Sequence, residues 1–494
     1  MNFNTAIYYH PEAYSMNSPK LMGRNAAGES FLRGFLKHFK KDKLWAQVMK
    51  QEDLQSFEFV AKANAREEEI KGFDTNNIEL LSQIGMLYYP GPDISQQAWN
   101  RTQFGDEQWS LCGITHTTSS AKAMEAITSL VTAPIQPWDA VICTSLSVKH
   151  NVEILLQAQV DYLKKRFNIQ KIVLPQLPVI PLGIHTEEFN YSAKDKKIAR
   201  EKLDIDKDAI VVLYVGRLSF HAKANPFPMY KALQNSIEKT GKKVVLIECG
   251  WFANDYTKKA FEDASNTLSP SLQVIRLDGR EPSNRDLSWA SVDIFCSLSD
   301  NIQETFGIVP IEAMAAGVPV VVSDWDGYKD TVRDKIDGYR VPTTMPNAGL
   351  GTDLAIRHAL ETDTYDMYCG QNSSLVAVDI DETTKAFIEL INSKELRTKM
   401  GKSGKKRAKE VYDWSVIIPQ YEKLWDELHL IRTAHDKSKE IKLTHPYPSR
   451  AEPFTAFASY PTYILNNNTT VELTMQYNEA VEKIELYKNM TINN

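Results

Sequence analysis

The sequence predicts an α/β protein with parallel, doubly wound sheets, because short apolar runs alternate with segments of helical character. The apolar runs of the second half are continuous, which is typical of strands that are buried on both faces. Five of them are clear: IVVLYV (210–215), KVVLIE (243–248), LQVIRL (272–277), VDIFCSL (292–298) and VPVVVSD (318–324). Helical segments separate several of these runs, and this alternation predicts a parallel sheet with helices on both faces.

The chain length indicates more than one such sheet. A chain of 494 residues is too long for one hydrophobic core, so we expect at least two domains. The first half contains a good candidate strand, DAVICTSL (139–146), and a poorer one, ELLSQIGMLYYP (79–90). The Pro-rich stretch 178–185 is unsuited to the interior of a helix or strand. We therefore expect two Rossmann-like domains that face a central cleft, over residues 1–180 and 185–412.

Periodicity predicts two helices in the second half. The segment PMYKALQNSIEKTG (228–241) has apolar residues at four-residue spacing and ends at Gly241. The segment WSVIIPQYEKLWDEL (414–428) is amphipathic, and we assign residues 413–430 to a separate helix. Seven residues share its apolar face: Trp414, Ile417, Ile418, Tyr421, Leu424, Trp425 and Leu428. A C-terminal extension over 431–494 follows it, and its sequence indicates no role.

Composition excludes several classes of protein. The net charge of −6 argues against a nucleic-acid-binding protein. The five cysteines are scattered without CxxC spacing, which predicts neither disulfides nor a structural zinc site and favours a reducing cytosol. The N-terminus lacks a signal-peptide pattern, and no apolar run approaches the roughly 20 residues that span a bilayer. We expect a cytoplasmic protein.

The basic segment FLRGFLKHFKKDKLW (31–45) leaves two interpretations open. Phe31, Phe35 and Phe39 form one stripe, and basic residues lie elsewhere. The stripe could insert into an anionic membrane surface on the inner face of a membrane. The preferred interpretation is a core-packing helix with a solvated face, because Asp42 and the acidic balance of the chain weaken such a surface.

The stretch DNIQETFGIVPIEAMAAG (300–317) contains two glutamates in an apolar context, Glu304 and Glu312. An unpaired carboxylate is costly to bury, so both glutamates should have partners. The loop follows a predicted strand, where open α/β sheets bind ligands, and a short helix starts after it. The free N–H groups of Phe306, Gly307 and Ile308 would form a phosphate site at that helix terminus. A nucleotide sugar would let one glutamate bind sugar hydroxyls and the other the ribose.

A second group of polar residues follows the strand at 210–215. In VGRLSFHAK, Gly216 permits a tight turn, and Arg217 and Lys223 come soon after it. The guanidinium fork of arginine and the point charge of lysine both suit a diphosphate. With two such cations, a divalent metal would not be needed to neutralise the leaving group, and we expect no metal or other cofactor.

These motifs together resemble the retaining glycosyltransferases of family four, the group 1 enzymes with the GT-B fold. Glu304 and Glu312 match the E-x7-E motif of that family, and other segments match its further signatures. These segments are GRLSFHAK (216–223), PLGIHTEEF (181–189), SDWDGYKDTVRDKIDGYRVP (323–342) and MGKSGKKRAKEVYDWSVIIPQYEKLW (400–425). The last resembles the helix that crosses back to the first domain. The likeness is strong from about 175 to 428.

The resemblance implies a role for each matched residue. Glu304 would contact the hydroxyls of the donor sugar, and Glu312 the ribose. Arg217 and Lys223 would hold the diphosphate and stabilise developing charge. The family transfers a sugar from a nucleotide-diphosphate sugar to a saccharide or lipid-linked acceptor, with retention of configuration, in polysaccharide or glycolipid biosynthesis.

Two residues of the first half are matched in the same way. LCGITHTTSS (111–120) resembles the strand-end segment whose histidine faces the reacting sugar, which is His116. GRNAAGESF (23–31) resembles the glycine loop near the donor phosphates, with Gly28 as the matching glycine and Ala27 in place of its usual glycine neighbour.

Other interpretations remain for the chain and for its residues. The same fold also suits a sugar phosphorylase, a nucleotide-sugar epimerase, or a degenerate member that only binds a partner. The two glutamates are also the kind of acid found near helix N-termini, and Arg217 with Lys223 would also suit a surface turn. A core histidine and a turn glycine are the corresponding alternatives for His116 and Gly28.

Overall fold

The computed structural model describes residues 3–14, 23–41, 43–66, 69–435, 447–472 and 474–487. The chain divides into a large compact unit, Met1–Glu440, and a small one, Ile441–Asn494. Within the described ranges, no helix combines the length and apolar character that crossing a membrane requires.

The first half of the large unit is built on a parallel sheet. Its six strands are β1 Ala6–Tyr8, β2 Lys43–Gln47, β3 Glu69–Phe73, β4 Met86–Tyr88, β5 Ser110–Ile114 and β6 Ala140–Ile142. They lie in the order β3-β2-β1-β4-β5-β6, and β1 pairs with both β2 and β4. The helices are α1 Pro11–Tyr14, α2 Gly23–His38, α3 Gln51–Ala63, α4 Leu81–Ile84, α5 Ser95–Arg101, α6 Ala121–Ser129 and α7 Leu146–Phe167, with a 3-10 helix at Thr75–Leu80.

The second half of the large unit repeats this architecture. Its six parallel strands are β7 Ile210–Val215, β8 Val244–Gly250, β9 Gln273–Asp278, β10 Ile294–Ser297, β11 Val320–Ser323 and β12 Gly338–Val341, in the order β12-β11-β10-β7-β8-β9. A two-stranded antiparallel pair is formed by β13 Thr343–Thr344 and β14 Ala377–Val378. The helices are α8 Ala193–Lys202, α9 Phe227–Thr240, α10 Asp255–Leu268, α11 Pro282–Ser291, α12 Ile308–Ala315, α13 Tyr328–Thr331, α14 Thr352–Ala359, α15 Tyr365–Ser373, α16 Ile380–Asn392, α17 Lys394–Arg407 and α18 Trp414–Thr433; a 3-10 helix lies at Thr186–Phe189 and a π-helix at Ala408–Tyr412.

Most predicted elements agree with the structure, and one is wrong in part. All five apolar runs of the second half form strands, and the helix predicted over 228–241 is α9, which ends at Gly241 in the left-handed conformation (φ 64°). Half of the stretch predicted as a poor strand over 79–90 is helical, and only Met86–Tyr88 forms a strand. Gly85 separates the two parts at φ 99°, a conformation that glycine adopts without strain.

Helix α18 joins the second half to the first. All seven residues predicted to share its apolar face are buried, and they belong to the same core as the aromatic residues of α2. The indole of Trp414 lies 5.8 Å from the ring of Phe31 and donates its N–H to Ser30 Oγ at 2.8 Å. At the other end of α18, Arg432 donates to the carbonyl oxygens of Glu107 and Gln108 at 2.8 and 2.9 Å. These contacts hold the helix along the first sheet.

The contacts of α2 decide between the two interpretations of residues 31–45. Phe31, Phe35 and Phe39 are 3%, 1% and 3% exposed, because they pack against α18 and the first sheet. The core-packing interpretation of this stripe is therefore confirmed. The helix ends at His38, and the residues from Lys43 onward form β2 instead.

The connection between the two halves runs beside the start of α18. Ile184 forms an isolated parallel bridge with Asp413. Its N–H donates to the carbonyl of Tyr412 at 2.8 Å, and its own carbonyl accepts from the N–H of Trp414 at 3.2 Å. The two segments that pass from one sheet to the other are thus hydrogen-bonded to each other.

The small unit contains two helices, α19 Pro453–Ala456 and α20 Tyr477–Tyr487. Glu452 caps α19 by accepting from the N–H groups of Phe454 and Thr455 at 2.9 and 2.8 Å. The described residues of this unit carry many exposed large apolar side chains, such as Phe454 and Tyr463.

We predict that Gly34→Ala destabilises the protein, because Trp414 occupies the space beside this glycine. A Cβ at position 34 would lie 2.4 Å from Trp414 Cγ, whereas one at Gly351 would meet nothing within 4 Å. Alanine favours a helix over glycine by about 1 kcal/mol, but overpacking of a filled core costs roughly 1–3 kcal/mol. Thermal unfolding should show a lower midpoint for Gly34→Ala and an undiminished midpoint for the control Gly351→Ala. Equal midpoints in both variants would contradict this packing.

Candidate active site

The loop between β10 and α12 carries the two glutamates of the E-x7-E pattern. Helix α12 begins at Ile308, and Gly307 is its N-cap residue at φ 83°. A Cβ at position 307 would lie 2.0 Å from the ring of Tyr328, so both the space and the backbone angle require glycine. Within the described part of the chain, the N–H groups of Phe306, Gly307 and Ile308 donate to no other residue. The predicted helix terminus therefore exists and has free donors.

Glu304 is held by a short ion pair. Its carboxylate accepts from Lys223 Nζ at 2.5 Å and from the hydroxyl of Tyr328 at 3.3 Å, and its side chain is 10% exposed. Burial raises the pKa of Glu304, but the charge of Lys223 and these hydrogen bonds outweigh burial and lower the pKa below its usual value. Glu304 is therefore ionised near neutral pH, and Lys223 is its partner.

Arg217 lies in the loop after β7, directly after Gly216. Gly216 has φ 149°, and the Arg217 carbonyl accepts from the Tyr214 hydroxyl at 3.0 Å. The guanidinium donates through Nη2 to Gln303 Oε1 at 2.9 Å and to the carbonyl of Ala222 at 3.1 Å. Its Nε and Nη1 donors make no hydrogen bond to another described residue. Arg217 is thus oriented through one nitrogen and has donors left for an anion.

Glu312 differs from Glu304 in its surroundings. Its carboxylate makes no hydrogen bond or ion pair with any residue that the structure describes. Burial raises the pKa of Glu312 to about 7, and the charge of Glu188 adds to this effect while Arg285 opposes it. Within the described chain, only Glu304 therefore has the partner that the sequence predicts for both glutamates.

The first sheet reaches the same loop. His116 follows β5, and its carbonyl accepts from Thr305 Oγ1 at 3.1 Å. Ser145, the N-cap of α7, donates through Oγ to the carbonyl of Thr305 at 2.9 Å. The structure therefore brings His116 next to the residue that follows Glu304. The carboxyl ends of both sheets meet at this point.

The expectation of a glycine loop around Gly28 is wrong. Residues 23–31 belong to α2, and Gly28 lies inside that helix. A Cβ at this position would lie 2.0 Å from the carbonyl oxygen of Ala13, so Gly28 permits the close approach of α1 to α2. The resemblance of GRNAAGESF to a glycine loop of the family therefore does not predict the helix that these residues form.

Two buried carboxyl groups near the site are missing from the sequence-based prediction. Asp326 accepts from Ser145 Oγ at 3.2 Å, and burial together with the charge of Glu304 raises its pKa to about 7. Asp300 is 3% exposed, and burial raises its pKa to about 7 as well. Its Oδ2 accepts from the N–H of Asn225 at 3.2 Å, and its Oδ1 has no partner among the described residues. The signal available was their position in the DNIQETFG and SDWDGY motifs.

Within the described residues, no group of three or more His, Cys, Asp or Glu side chains has the arrangement of a metal site.

Two parallel sheets meet at their strand ends in this two-domain architecture, and the cations and free N–H donors found there suit an anionic ligand. Residues 195–374 match the family model described as "Glycosyl transferases group 1". This segment contains β7 to β12 and also Arg217, Lys223, Glu304 and Glu312. This part of the chain is therefore similar to the group 1 glycosyl transferases.

Curated relatives agree with this match. An uncharacterized glycosyltransferase of Methanocaldococcus jannaschii is 26% identical over 252 residues, which is 49% of this chain and 59% of the relative. The lipopolysaccharide 1,2-N-acetylglucosaminetransferase of Salmonella typhimurium is 25% identical over 199 residues, 38% of this chain and 49% of that enzyme. The match thus spans about half the length of these relatives.

A solved structure is similar over nearly the whole length. Anabaena HepE, in a complex with UDP-glucose, matches with a TM-score of 0.54 at 13% identity, over 86% of this chain and 99% of HepE. This likeness and the two six-stranded parallel sheets show the GT-B fold that the sequence predicts.

We predict that Asp300→Asn stabilises the protein at pH 8 and not at pH 4. The native carboxyl holds its proton up to about pH 7, whereas the unfolded one releases it near 3.8. Stability is therefore lost as pH rises from about 4 to 7, and asparagine avoids this loss, which we put at roughly 1–3 kcal/mol. Unfolding midpoints at the two pH values test this, with the exposed Asp208→Asn as the control. Destabilisation by Asp300→Asn at both pH values would show that the ionised form is required.

Proposed function

We propose that this protein is a retaining glycosyltransferase that moves a sugar from a nucleotide-diphosphate sugar to a saccharide or lipid-linked acceptor. The observation that carries the proposal is the partly buried Lys223–Glu304 ion pair, 2.5 Å long, beside the free N–H groups that begin α12. A cation, a carboxylate and a helix N-terminus at one point suit a ligand with both phosphates and hydroxyls.

The donor diphosphate would lie between the two loops that follow β7 and β10. Arg217 has unused Nε and Nη1 donors, and the side chain of Lys223, in the same loop after β7, is 26% exposed. Together with the N–H groups of Phe306, Gly307 and Ile308, these cations provide the positive charge that a diphosphate needs. We propose on this basis that no divalent metal is required.

The two glutamates would bind opposite ends of the donor. Glu304 is ionised, and the exposed part of its carboxylate can accept from hydroxyls of the transferred sugar. Glu312 has no partner within the described chain, and ribose hydroxyls would satisfy it. The unpartnered carboxyl is thus explained by a ligand.

The reaction would proceed on one face of the sugar. The bond between the anomeric carbon and the β-phosphate oxygen breaks, and the acceptor oxygen forms its bond to that carbon from the same side. The acceptor proton passes to the leaving phosphate oxygen, and the nucleoside diphosphate departs. Lys223 and Arg217 stabilise the charge that develops on the phosphate, and His116 lies where the acceptor would enter from the first sheet.

The acceptor class is supported by the relatives. One acts on lipopolysaccharide and others are phosphatidyl-myo-inositol mannosyltransferases, according to their names. We propose a role in polysaccharide or glycolipid biosynthesis in the cytosol, where the five free, buried cysteines would stay reduced.

A thermal-shift panel tests the donor. UDP, GDP, ADP and their sugar conjugates are added to the protein with and without EDTA, since a ligand that binds the folded state raises the midpoint. One nucleotide should raise the midpoint, and EDTA should not abolish the effect. If none does so at millimolar concentration, the donor site is absent; if EDTA removes the shift, a metal is required.

We predict that Lys223→Ala lowers the rate of donor turnover by about 10²–10³-fold, because it removes a preorganised charge at the leaving phosphate. The measurement is release of nucleoside diphosphate from the donor identified above. Lys259→Ala is the control, since Lys259 forms an exposed ion pair with Asp263. Normal turnover in folded Lys223→Ala would exclude this residue from the reaction.

We predict that nucleotide affinity rises by up to about tenfold from pH 6 to pH 8, because an ionised carboxylate is the better acceptor for ribose hydroxyls. The pKa of Glu312 is about 7, so it is mostly protonated at pH 6 and mostly ionised at pH 8. Titration of the nucleotide at both pH values should show this step in the wild type and not in Glu312→Gln. A step that persists in Glu312→Gln and disappears in Asp326→Asn would assign it to Asp326 instead.

A further inference from the structure

An inserted helical hairpin lies between β12 and α16, at residues 343–378. Strands β13 and β14 close its base, with Thr343 opposite Val378 and Thr344 opposite Ala377. Helices α14 and α15 lie between them, and His358 of α14 stacks on Tyr368 of α15 at 4.0 Å. The proposed donor contacts do not involve this hairpin.

Helix α15 is anchored on both sides of the candidate active site. The hydroxyl of Tyr365 lies 2.7 Å from Ser119 Oγ, which belongs to the loop of the first half that also carries His116. On the other side, Gln303 Nε2 donates to Cys369 Sγ at 3.6 Å. Gln303 also accepts from Arg217. One short helix therefore contacts elements from both halves.

A cavity lies between α15 and the loop that contains Arg217 and Lys223. Its volume is about 450 Å³, within the range of roughly 300–1,000 Å³ that small-molecule sites occupy. The side chains that matter for its chemistry are Phe220, His221, Asn225, Asp366, Met367 and Gln371. Phe220 and His221 stand between Arg217 and Lys223 in sequence, so one loop carries both part of the cavity lining and the cations of the proposed diphosphate site.

The lining suits a neutral, hydroxyl-rich ligand. His221 Nε2 and Asp366 Oδ2 lie 3.9 Å apart at one side of the cavity. Gln371 is free to donate and accept, since its side chain makes no hydrogen bond with another described residue. Phe220 and Met367 add apolar surface, on which the C–H face of a sugar ring can pack. Among the residues of this lining, all of them described, none is Lys or Arg, and Asp366 would repel a phosphate.

We infer that this cavity is a saccharide-binding subsite that recognises a neutral acceptor sugar and holds it beside the donor diphosphate. The inference rests on the proposed function and names the acceptor chemistry of the same site. It assigns the recognition of the acceptor to the inserted hairpin of the second half as well as to the first half. A phosphorylated sugar is the alternative that the charge of the lining opposes.

Binding of simple sugars tests the inference. The probes are the methyl glycosides of glucose, galactose, mannose and N-acetylglucosamine, with glucose 6-phosphate as the anionic comparison. Saturation-transfer NMR titrations are run on the wild type in the presence of the nucleotide that gives a thermal shift. We expect at least one neutral glycoside to bind and glucose 6-phosphate to bind more weakly.

Two variants locate the binding site. Met367→Trp places a bulky ring in the cavity and should lower the affinity for the tightest-binding glycoside at least tenfold, and Gln371→Ala should lower it several-fold. Ile356→Trp is the matched control, because Ile356 is exposed to 53% and Met367 to 45%, and Ile356 does not line the cavity. Circular dichroism and unfolding midpoints verify that each variant is folded.

The outcomes separate this inference from the proposed function. Absence of any nucleotide shift in the wild type would overturn both. A nucleotide shift without binding of a neutral glycoside would overturn the subsite alone. The subsite is also overturned if the folded Met367→Trp and Gln371→Ala variants bind the glycoside with unchanged affinity, or if glucose 6-phosphate binds most tightly.

Discussion

The burial of Trp414 is the contact on which the arrangement of the large unit depends. Its indole lies against two glycines, Gly34 of α2 and Gly183 of the connection, where an added Cβ would lie 2.4 and 2.5 Å from the ring. One side chain of α18 thus joins this helix to α2 and to the connection. The candidate site is built from elements of both halves, so its geometry depends on this contact between them.

The two glutamates of one motif have different physical roles. The positive charge of Lys223 balances the charge of Glu304 and so keeps this largely buried carboxylate ionised. Glu312 has no such neighbour among the described residues, and its carboxyl is near its titration midpoint at neutral pH. Glu304 therefore keeps its charge near neutral pH, whereas the charge of Glu312 changes with small changes in pH. The permanently charged carboxylate is the one that lies beside Lys223.

Much of the second half could be predicted from the sequence, because strands buried on both faces give continuous apolar runs. The apolar face of α18 is equally clear, since seven large apolar residues at helical spacing predict one buried face. The first half is less clear: the apolar stretch 79–90 combines a helix and a strand, and Gly85 divides them through backbone conformation rather than composition. The family resemblance gave a wrong expectation at Gly28. This glycine lets α1 approach α2, and that role depends on the carbonyl of Ala13, which is 15 residues earlier in the sequence.

The buried carboxyls and the inserted hairpin could not be predicted for a related reason. The pKa of Asp300 or Asp326 depends on burial and on neighbours that are far away in sequence, such as Ser145. Helices α14 and α15 are eight and nine residues long, too short for a clear periodic pattern. The sequence does not show that these helices lie beside the loop that carries Arg217, because that position depends on how distant parts of the chain pack.

The bridge between Ile184 and Asp413 has a mechanical consequence. The chain crosses between the two sheets twice, and both crossings are fastened together at this bridge by backbone hydrogen bonds. Two crossings that are joined at one place restrain how far the halves can separate there. The hydrogen bonds of Thr305, Ser145 and Tyr365 connect the two halves at the candidate site. A movement of one half relative to the other would therefore have to change those contacts, whereas the bridge keeps the crossings together.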